Sequence, residues 1–366
     1  MTKLFIGLMS GTSLDGIDAV ITEISSSGCK LIASHYQTFD EPLLSQLKLA
    51  CRESTIDLNK LGSLDAELGT LYAETIKKLL AKANISAEQI AAIGSHGQTI
   101  QHSPTLQHPF TLQIGDPNQL AEKTGIRVVA DFRRRDIAAG GQGAPLAPAF
   151  HNAVFRSSDE NRIILNLGGI ANVTVLLAQK EAPIVGFDCG PANTLMDQWC
   201  QQHFDQNFDR DGAIARTGSI NKSLLDAFMR DEFFQKKHPK STGPEYFSMQ
   251  WLSAHLEDLT IEKTDVLATL CELTAYNIKV SLVTLPSCDR LIVCGGGSHN
   301  DFLIERLSHN LECLVETSTS HGVDPDWVEA MAFSWLAKQT LDGKFGNIPS
   351  VTGATKEVVL GAIYSA

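Results

Sequence analysis

Residues 4–21 read LFIGLMSGTSLDGIDAVI. An apolar run, Leu4 to Met9, stops at Ser10-Gly11-Thr12-Ser13, and a second run, Ile17 to Ile21, follows Asp15-Gly16. Short apolar segments broken by Gly, Ser and Asp predict two strands joined by a tight turn. Gly11 and Gly16 permit positive φ and carry no side chain, so backbone N–H groups there can approach a bound anion. Thr12 and Ser13 add hydroxyl donors at the same place. Taken alone, a plain hairpin accounts for the stretch equally well.

A second copy shifts the balance. Residues 162–177 read RIILNLGGIANVTVLL, again two apolar runs around a polar glycine turn, Gly168-Gly169-Ile170-Ala171-Asn172. A third glycine turn, Cys294-Gly295-Gly296-Gly297-Ser298, closes the run Leu291 to Val293 and precedes a helical pattern from about Asn300. Strand, glycines, then helix is where a nucleotide lies against backbone. No Gly-Lys-Ser/Thr follows any of the three, and none gives Gly-x-Gly-x-x-Gly after a strand, so neither the Walker nor the dinucleotide fingerprint applies. Two similar turns half a chain apart predict duplicated halves, each offering one loop to a ligand.

At 366 residues the chain exceeds what one core usually supports, and two domains are expected. A hydrophobic fraction of 43% and a charged fraction of 20% are those of an ordinary soluble protein. A net charge of −12 argues against nucleic-acid or anionic-membrane partners. The eight cysteines are scattered, with no C-x-x-C, and read as reduced thiols. The N-terminal apolar run is too short for a signal or membrane segment. A cytoplasmic location follows as the expectation.

Along the chain, Lys30 to Tyr36 predicts a third strand. Leu61, Leu64, Leu68, Leu71, Ile76, Leu79 and Leu80 recur at helical spacing over 59–80, with Asn84 as the stop. Ser86 with Gln89 makes a capping box. Ile90 to Gly94 reads as a strand delivering Ser95-His96-Gly97-Gln98-Thr99 at its end, a good position for sugar hydroxyls; a hydrogen-bonded loop histidine is the plainer alternative. Ile126 to Ala130 is another strand, leading to Asp131-Phe132-Arg133-Arg134-Arg135-Asp136. Three arginines usually mark a solvated face; beside the flexible stretch 138–148 they could instead sit at a hinge, where a guanidinium pairs with a substrate carboxylate.

In the second half, Ile184 to Phe187 predicts a strand ending at Asp188, before Gly190-Pro191 and a helix from Thr194 to Gln201. An aspartate there faces a sheet's carboxyl edge, although a turn or capping role is the commoner one. Residues 241–251, with clustered Pro, Tyr, Phe and Trp, read as packing or dimer surface, and a homodimer is expected. Thr264 to Leu285 predicts a long helix, broken by Pro286. Asp324-Pro325 predicts another helix, burying Val328, Met331, Ala332, Trp335 and Leu336 and placing Glu329 in its first turn. Residues 356–364 read as a C-terminal helix crossing back to the first domain.

These segments carry a family resemblance. The three turns, in this order, resemble the two phosphate loops and the adenosine loop of the sugar kinase, actin and heat-shock chaperone superfamily. Within it, GLMSGTSLDGID (7–18), SHGQT (95–99), DFRRRDIAAGGQGAPL (131–146), NLGGIAN (166–172), GFDCGPANTLMD (186–197), CGGGSHN (294–300) and the C-terminal TGATKEVVLGAIY (352–364) are similar to the anhydro-N-acetylmuramic acid kinase family, across nearly the whole chain.

The resemblance implies a two-domain α/β actin-like ATPase fold, ribonuclease H-like, with a central cleft. The first domain is expected over 1–130 with about 351–366, and the second over 131–350. It puts Gly11, Thr12, Ser13, Leu14, Asp15, Gly16, Ile17, Asp18, Asn166, Gly168 and Gly169 at ATP phosphates, and Gly295, Gly296 and Gly297 at the adenosine. It puts Ser13, His96, Gln98, Thr99, Asp131, Arg133, Arg134 and Glu329 at an amino sugar whose lactyl carboxylate suits an arginine, and makes Asp188 the base. ATP and magnesium are the implied cofactors. Many members of the superfamily carry an acid in the first hairpin where this chain has Met9-Ser10, so the metal ligands stay unassigned, with Asp188 and Asp15 as candidates through water. The rival readings are an ordinary sugar kinase and a nucleotide-dependent sugar sensor.

Overall fold

The computed structural model describes residues 3–11, 13–25, 28–53, 55–257 and 259–366. They form two compact units, Met1–Val154 with Trp327–Ala366, and Phe155–Asp326. The first unit therefore keeps 131–154 and 327–350, which the boundaries expected from sequence gave to the second. The reason is packing: the helices Phe132–Ala138 and Val328–Leu341 share one hydrophobic cluster with Phe5, Ala92 and Val129 of the first sheet.

Among the described residues the first unit holds strands β1 (Lys3–Ser10), β2 (Gly16–Ser25), β3 (Gly28–Thr38), β4 (Ile90–Ser103), β5 (Phe110–Ile114), β6 (Val128–Ala130) and, from the chain's end, β12 (Ala362–Tyr364). The sheet order is β12-β6-β4-β1-β2-β3, with β5 on β4. β1–β2–β3 is an antiparallel meander, and β4 and β6 run parallel to β1. The second unit holds β7 (Arg162–Leu167), β8 (Ile170–Leu176), β9 (Val185–Pro191), β10 (Arg290–Cys294) and β11 (Leu314–Thr317), in the order β11-β10-β7-β8-β9. There too a meander, β7–β8–β9, is followed by two parallel strands, β10 and β11. Both halves thus share the ribonuclease H-like strand order, and the Gly11 and Gly168–Gly169 turns each join the first two strands of their own meander.

Local chemistry explains the elements. The helix Leu58–Ala83 starts where the Asp57 carboxylate accepts from the Asn59 and Lys60 N–H groups, at 2.9 and 3.1 Å. It stops at Asn84, which adopts the left-handed region at φ 53°. Its leucines 64, 68, 79 and 80 are buried with Tyr72 and Ile76. On the opposite face of the sheet, the helix Val328–Leu341 lies with its backbone directly on β1 and β4. A Cβ on Gly7 would stand 1.9 Å from the Ala330 carbonyl oxygen, and one on Gly94 would stand 2.0 Å from that of Phe333.

Several expectations change. SHGQT lies within β4 rather than beyond its end, and Asp188 lies within β9, paired with Asn172. The arginine run forms the short helix Phe132–Ala138 inside the first unit. The helix expected from Pro325 begins at Val328, because the Pro325 carbonyl instead accepts the Gly295 N–H at 3.0 Å. Residues 356–364 are not helical: Val358 and Leu360 are buried at a spacing of two, an extended pattern, and β12 adds to β6. None of the eight cysteines is in a disulfide.

Candidate active site

The turn after β1 is built from the inside. Gln98 is fully buried, and its side-chain oxygen accepts from the Ser10 hydroxyl while its Nε2 donates to the Gly11 carbonyl at 3.1 Å. Leu14 takes the left-handed region at φ 59° with its side chain buried, and its N–H donates to Gly11 O at 3.3 Å. A residue other than glycine in that region stores strain of the kind found at functional turns. A Cβ on Gly11 would meet nothing nearer than Ser13 Oγ at 3.5 Å, so the space beside it is open. Gly16 differs: a Cβ there would meet Gln37 O at 2.5 Å, so this glycine serves packing. Ile17 belongs to the core, Ser13 and Asp15 are exposed, and Asp18 is half-buried. Thr12 lies outside the described residues.

Two residues earlier on β4, His96 is buried against the Phe333 ring, with centroids 4.7 Å apart. Its Nε2 accepts from Arg133 Nε at 3.0 Å, which leaves the ring proton on Nδ1. Burial, and next the Arg133 charge, hold the imidazole well below its ordinary value, so it is neutral. Arg133 also donates through Nη1 to the Gly143 carbonyl at 2.8 Å. Burial lowers its guanidinium to about 10, opposed by Glu329 and then Asp136. Glu329 is exposed at its surface, while desolvation raises its carboxyl and Arg133 opposes the rise.

Of the three arginines, then, Arg133 is the one gathered with His96 and Glu329. Arg134 is exposed, with its Nε 3.4 Å from Asp131, and Arg135 is exposed. Thr99 is half-buried and accepts from Gln113 Nε2 at 3.1 Å. Gln98, expected at the sugar, has its side chain buried and bonded to the turn. Asp136 is fully buried and accepts from Gly143 N–H (2.7 Å), Asn347 Nδ2 (2.8 Å) and Thr352 Oγ1 (2.8 Å), fixing the loop whose carbonyl receives Arg133.

In the second unit, the turn between β7 and β8 is anchored through its carbonyls. Asn193 N–H donates to Gly168 O at 3.0 Å, Ala192 and Thr194 N–H to Gly169 O at 3.0 and 3.1 Å, and Asn193 Nδ2 to Leu167 O at 3.0 Å. No hydrogen bond from the Gly168 or Gly169 N–H is found among the described residues. A Cβ at either glycine would meet nothing closer than 3.7 Å. Gly296 is open as well, with nothing within 4 Å, whereas Gly295 (φ 80°, Asn166 Oδ1 at 2.4 Å) and Gly297 (Leu167 Cβ at 2.6 Å) are glycines for close packing. Asn166 thus stands behind the Gly295 turn.

Asp188 projects from β9 with its Oδ2 accepting from Ser241 Oγ at 2.8 Å and Thr242 N–H at 3.0 Å. Oδ1 has no partner among the described residues. Burial raises the carboxyl, against the Thr242 and Ser241 hydrogen bonds. One oxygen is fixed and the other open, on an acid less reluctant than usual to take a proton. Ser241 and Thr242 were read from sequence only as part of a packing segment; Phe247 is indeed buried in the second core, but no spacing pattern links 241–242 to 188. Among the described residues no group of three His, Cys, Asp or Glu is placed to hold a metal, and no helix is long and apolar enough to cross a membrane.

The sequence model of the anhydro-N-acetylmuramic acid kinase family matches residues 3–366. An anhydro-N-acetylmuramic acid kinase of Shewanella amazonensis is 48% identical over 100% of this chain and 99% of its own length. One of Hahella chejuensis is 50% identical over 100% and 99%. Among solved structures, the activator of the 2-hydroxyisocaproyl-CoA dehydratase from Clostridium difficile with bound ADPNP is 12% identical, covering 93% of this chain and 97% of that one with a TM-score of 0.46.

Proposed function

The chain belongs to the anhydro-N-acetylmuramic acid kinase family, and on that premise we propose how its residues divide the reaction. The enzyme is an ATP-dependent kinase that opens 1,6-anhydro-N-acetylmuramic acid with water and phosphorylates O6, giving N-acetylmuramic acid 6-phosphate in cell-wall recycling. In the proposal, Asp188 Oδ1 takes a proton from water as the water oxygen bonds to C1. The C1–O6 bond breaks, and O6 bonds to the γ-phosphorus as ADP leaves. Ser241 and Thr242 hold the other carboxylate oxygen, so the base has one orientation.

Each unit offers ATP its own backbone: the Gly11 turn in the first, and in the second the Gly168–Gly169 turn for phosphate and Gly296 for adenosine. Phosphoryl transfer is mostly positioning and charge neutralisation, which open glycine turns serve, the Gly168 and Gly169 N–H groups being without a hydrogen bond among the described residues. Arg133 receives the lactyl carboxylate, and His96, neutral, orients Arg133 while Glu329 reads a sugar donor. Asp131, Thr99, Ser13 and Arg134 form the outer ring of that site. Magnesium, bound with the phosphates, supplies neutralising charge. With no acidic cluster among the described residues, the chain fits a cation held mainly by phosphate and water, with Asp15 or Asp188 reaching it through water. A cytoplasmic homodimer completes the proposal; cysteines without disulfides accord with a reducing compartment, and sedimentation equilibrium reads the subunit count.

The observation that carries the assignment is the Asp188 carboxylate, with one oxygen held and one open. Asn has nearly the same shape but cannot accept the proton. Asp188→Asn should keep both ligand affinities and lower turnover by at least about a hundredfold. Wild-type turnover in the folded variant would remove Asp188 from the chemistry.

A further inference from the structure

We propose that Gln98 is a positioning residue for ATP: it holds the Gly11 turn in its phosphate-binding orientation and does not contact the sugar. This rests on the reading that the Gly11 turn receives phosphate. A turn can offer N–H groups to an anion only if its carbonyls point away. Gln98 meets that need, since its buried Nε2 donates to Gly11 O at 3.1 Å and to Thr99 O at 3.4 Å, while its Oε1 takes the Ser10 hydroxyl. Both ends of the amide are engaged.

The backbone explains why His96 and Gln98 do different work. Strict alternation would put residues 96 and 98 on one face of β4. Between β1 and β4, however, Leu8 pairs with Ser95 and Ser10 with Gln98, so β4 carries an extra residue. Gly97 sits in it at φ 74°, and a Cβ there would meet Ile114 O at 2.7 Å. Such a bulge re-aims side chains. His96 goes to Arg133 and Phe333, and Gln98 to the turn. The second unit anchors its own turn by the same logic, through donors to the carbonyls of Leu167, Gly168 and Gly169.

The test is calorimetry on the full chain with a non-hydrolysable ATP analogue and, separately, with anhydro-N-acetylmuramic acid. Gln98→Met keeps length and burial but has no donor, and is expected to weaken nucleotide binding at least tenfold while sugar affinity stays within twofold. Loss of sugar affinity with nucleotide binding kept would make Gln98 a sugar contact; equal losses would make it general architecture; no loss would leave it without a role. Each of these overturns the proposal. Gly11→Val is measured alongside: unchanged nucleotide binding there would show that the turn itself has been misread, whereas a loss there with none in Gln98→Met sinks only the role of Gln98. Should Gln98→Met fail to fold, Ser10→Ala releases the other end of the amide. At least a threefold nucleotide loss with sugar binding intact is then expected, and no change counts against the proposal.

Discussion

Asp188 and Arg133 are recessed charges whose shifts carry opposite consequences. Burial raises the Asp188 carboxyl above its ordinary value, so as the proposed base it becomes active only as pH climbs through that raised value. The acidic limb of kcat against pH should therefore lie above the ordinary aspartate value and vanish in Asp188→Asn. The same shift fixes a stability sign. A carboxyl raised by folding favours the native state below its unfolded pKa, and that contribution disappears as pH rises through the folded value. At neutral pH Asp188→Asn should then melt no lower than the wild type; a marked drop would indicate a turn or capping role. Arg133 is tied to His96 and Gly143 and drawn to Glu329, while Arg134 is exposed. Removing a charge-assisted contact costs on the order of 2 kcal/mol, roughly thirtyfold. Arg133→Ala should lose about that much affinity for anhydro-N-acetylmuramic acid, and much less for anhydro-N-acetylglucosamine, which lacks the carboxylate; Arg134→Ala should lose little on either. Equal losses on both sugars would mark Arg133 as structural. The sequence raised an arginine as a partner for a substrate carboxylate without choosing among the three, because that choice depends on where the helix Phe132–Ala138 starts and on a histidine 37 residues away.

At the scale of elements, two kinds of glycine separate by what a Cβ would meet. Gly94 lets the Phe333 carbonyl come to 2.0 Å of where a Cβ would stand. Gly94→Ala must push the helix Val328–Leu341 off β4, and overpacking of this kind costs about 1–3 kcal/mol or more. A fall in melting temperature together with lower sugar affinity is expected, since Glu329 rides on that helix; an unchanged melting temperature would contradict the close packing. Gly296 has nothing within 4 Å. Gly296→Val should keep its melting temperature and bind ATP more weakly, and unchanged affinity by calorimetry would remove that loop from the site. The elements legible in the sequence were those with strong local signals: the meander strands, the helix Leu58–Ala83 with its Asn84 stop, and the strand–glycine–helix order at 290–301. Those misread depended on distant partners. The segment 356–364 is extended because Asn347 and Thr340 receive it, the Asn347 side chain accepting the Val358 N–H at 2.8 Å and the Thr340 hydroxyl donating to Leu360 O at 2.6 Å. The Val328 start was hidden because Pro325 serves the Gly295 turn.

For the whole molecule, the same strand order occurs twice, and each copy carries one open glycine turn whose carbonyls are tied back. That duplication was visible in residues 4–21 and 162–177, since each repeat is local; the unit boundaries were not, because they depend on which sheet a helix packs against. In the proposed reading, the duplicated turns would let a chain of net charge −12 receive a polyphosphate through backbone N–H groups rather than a basic surface. They do not by themselves distinguish simple phosphorylation from ring opening coupled to it. The distinguishing feature in the proposed mechanism is Asp188, assigned there to activate water rather than only a hydroxyl. Mass spectrometry of the product formed from ATP, magnesium and 1,6-anhydro-N-acetylmuramic acid tests this most directly. The predicted product is heavier than the sugar by one phosphoryl group and one water, with both additions lost together in Asp188→Asn. A product that gained phosphate while keeping the anhydro ring, or a ring opened without phosphate, would contradict the coupled mechanism.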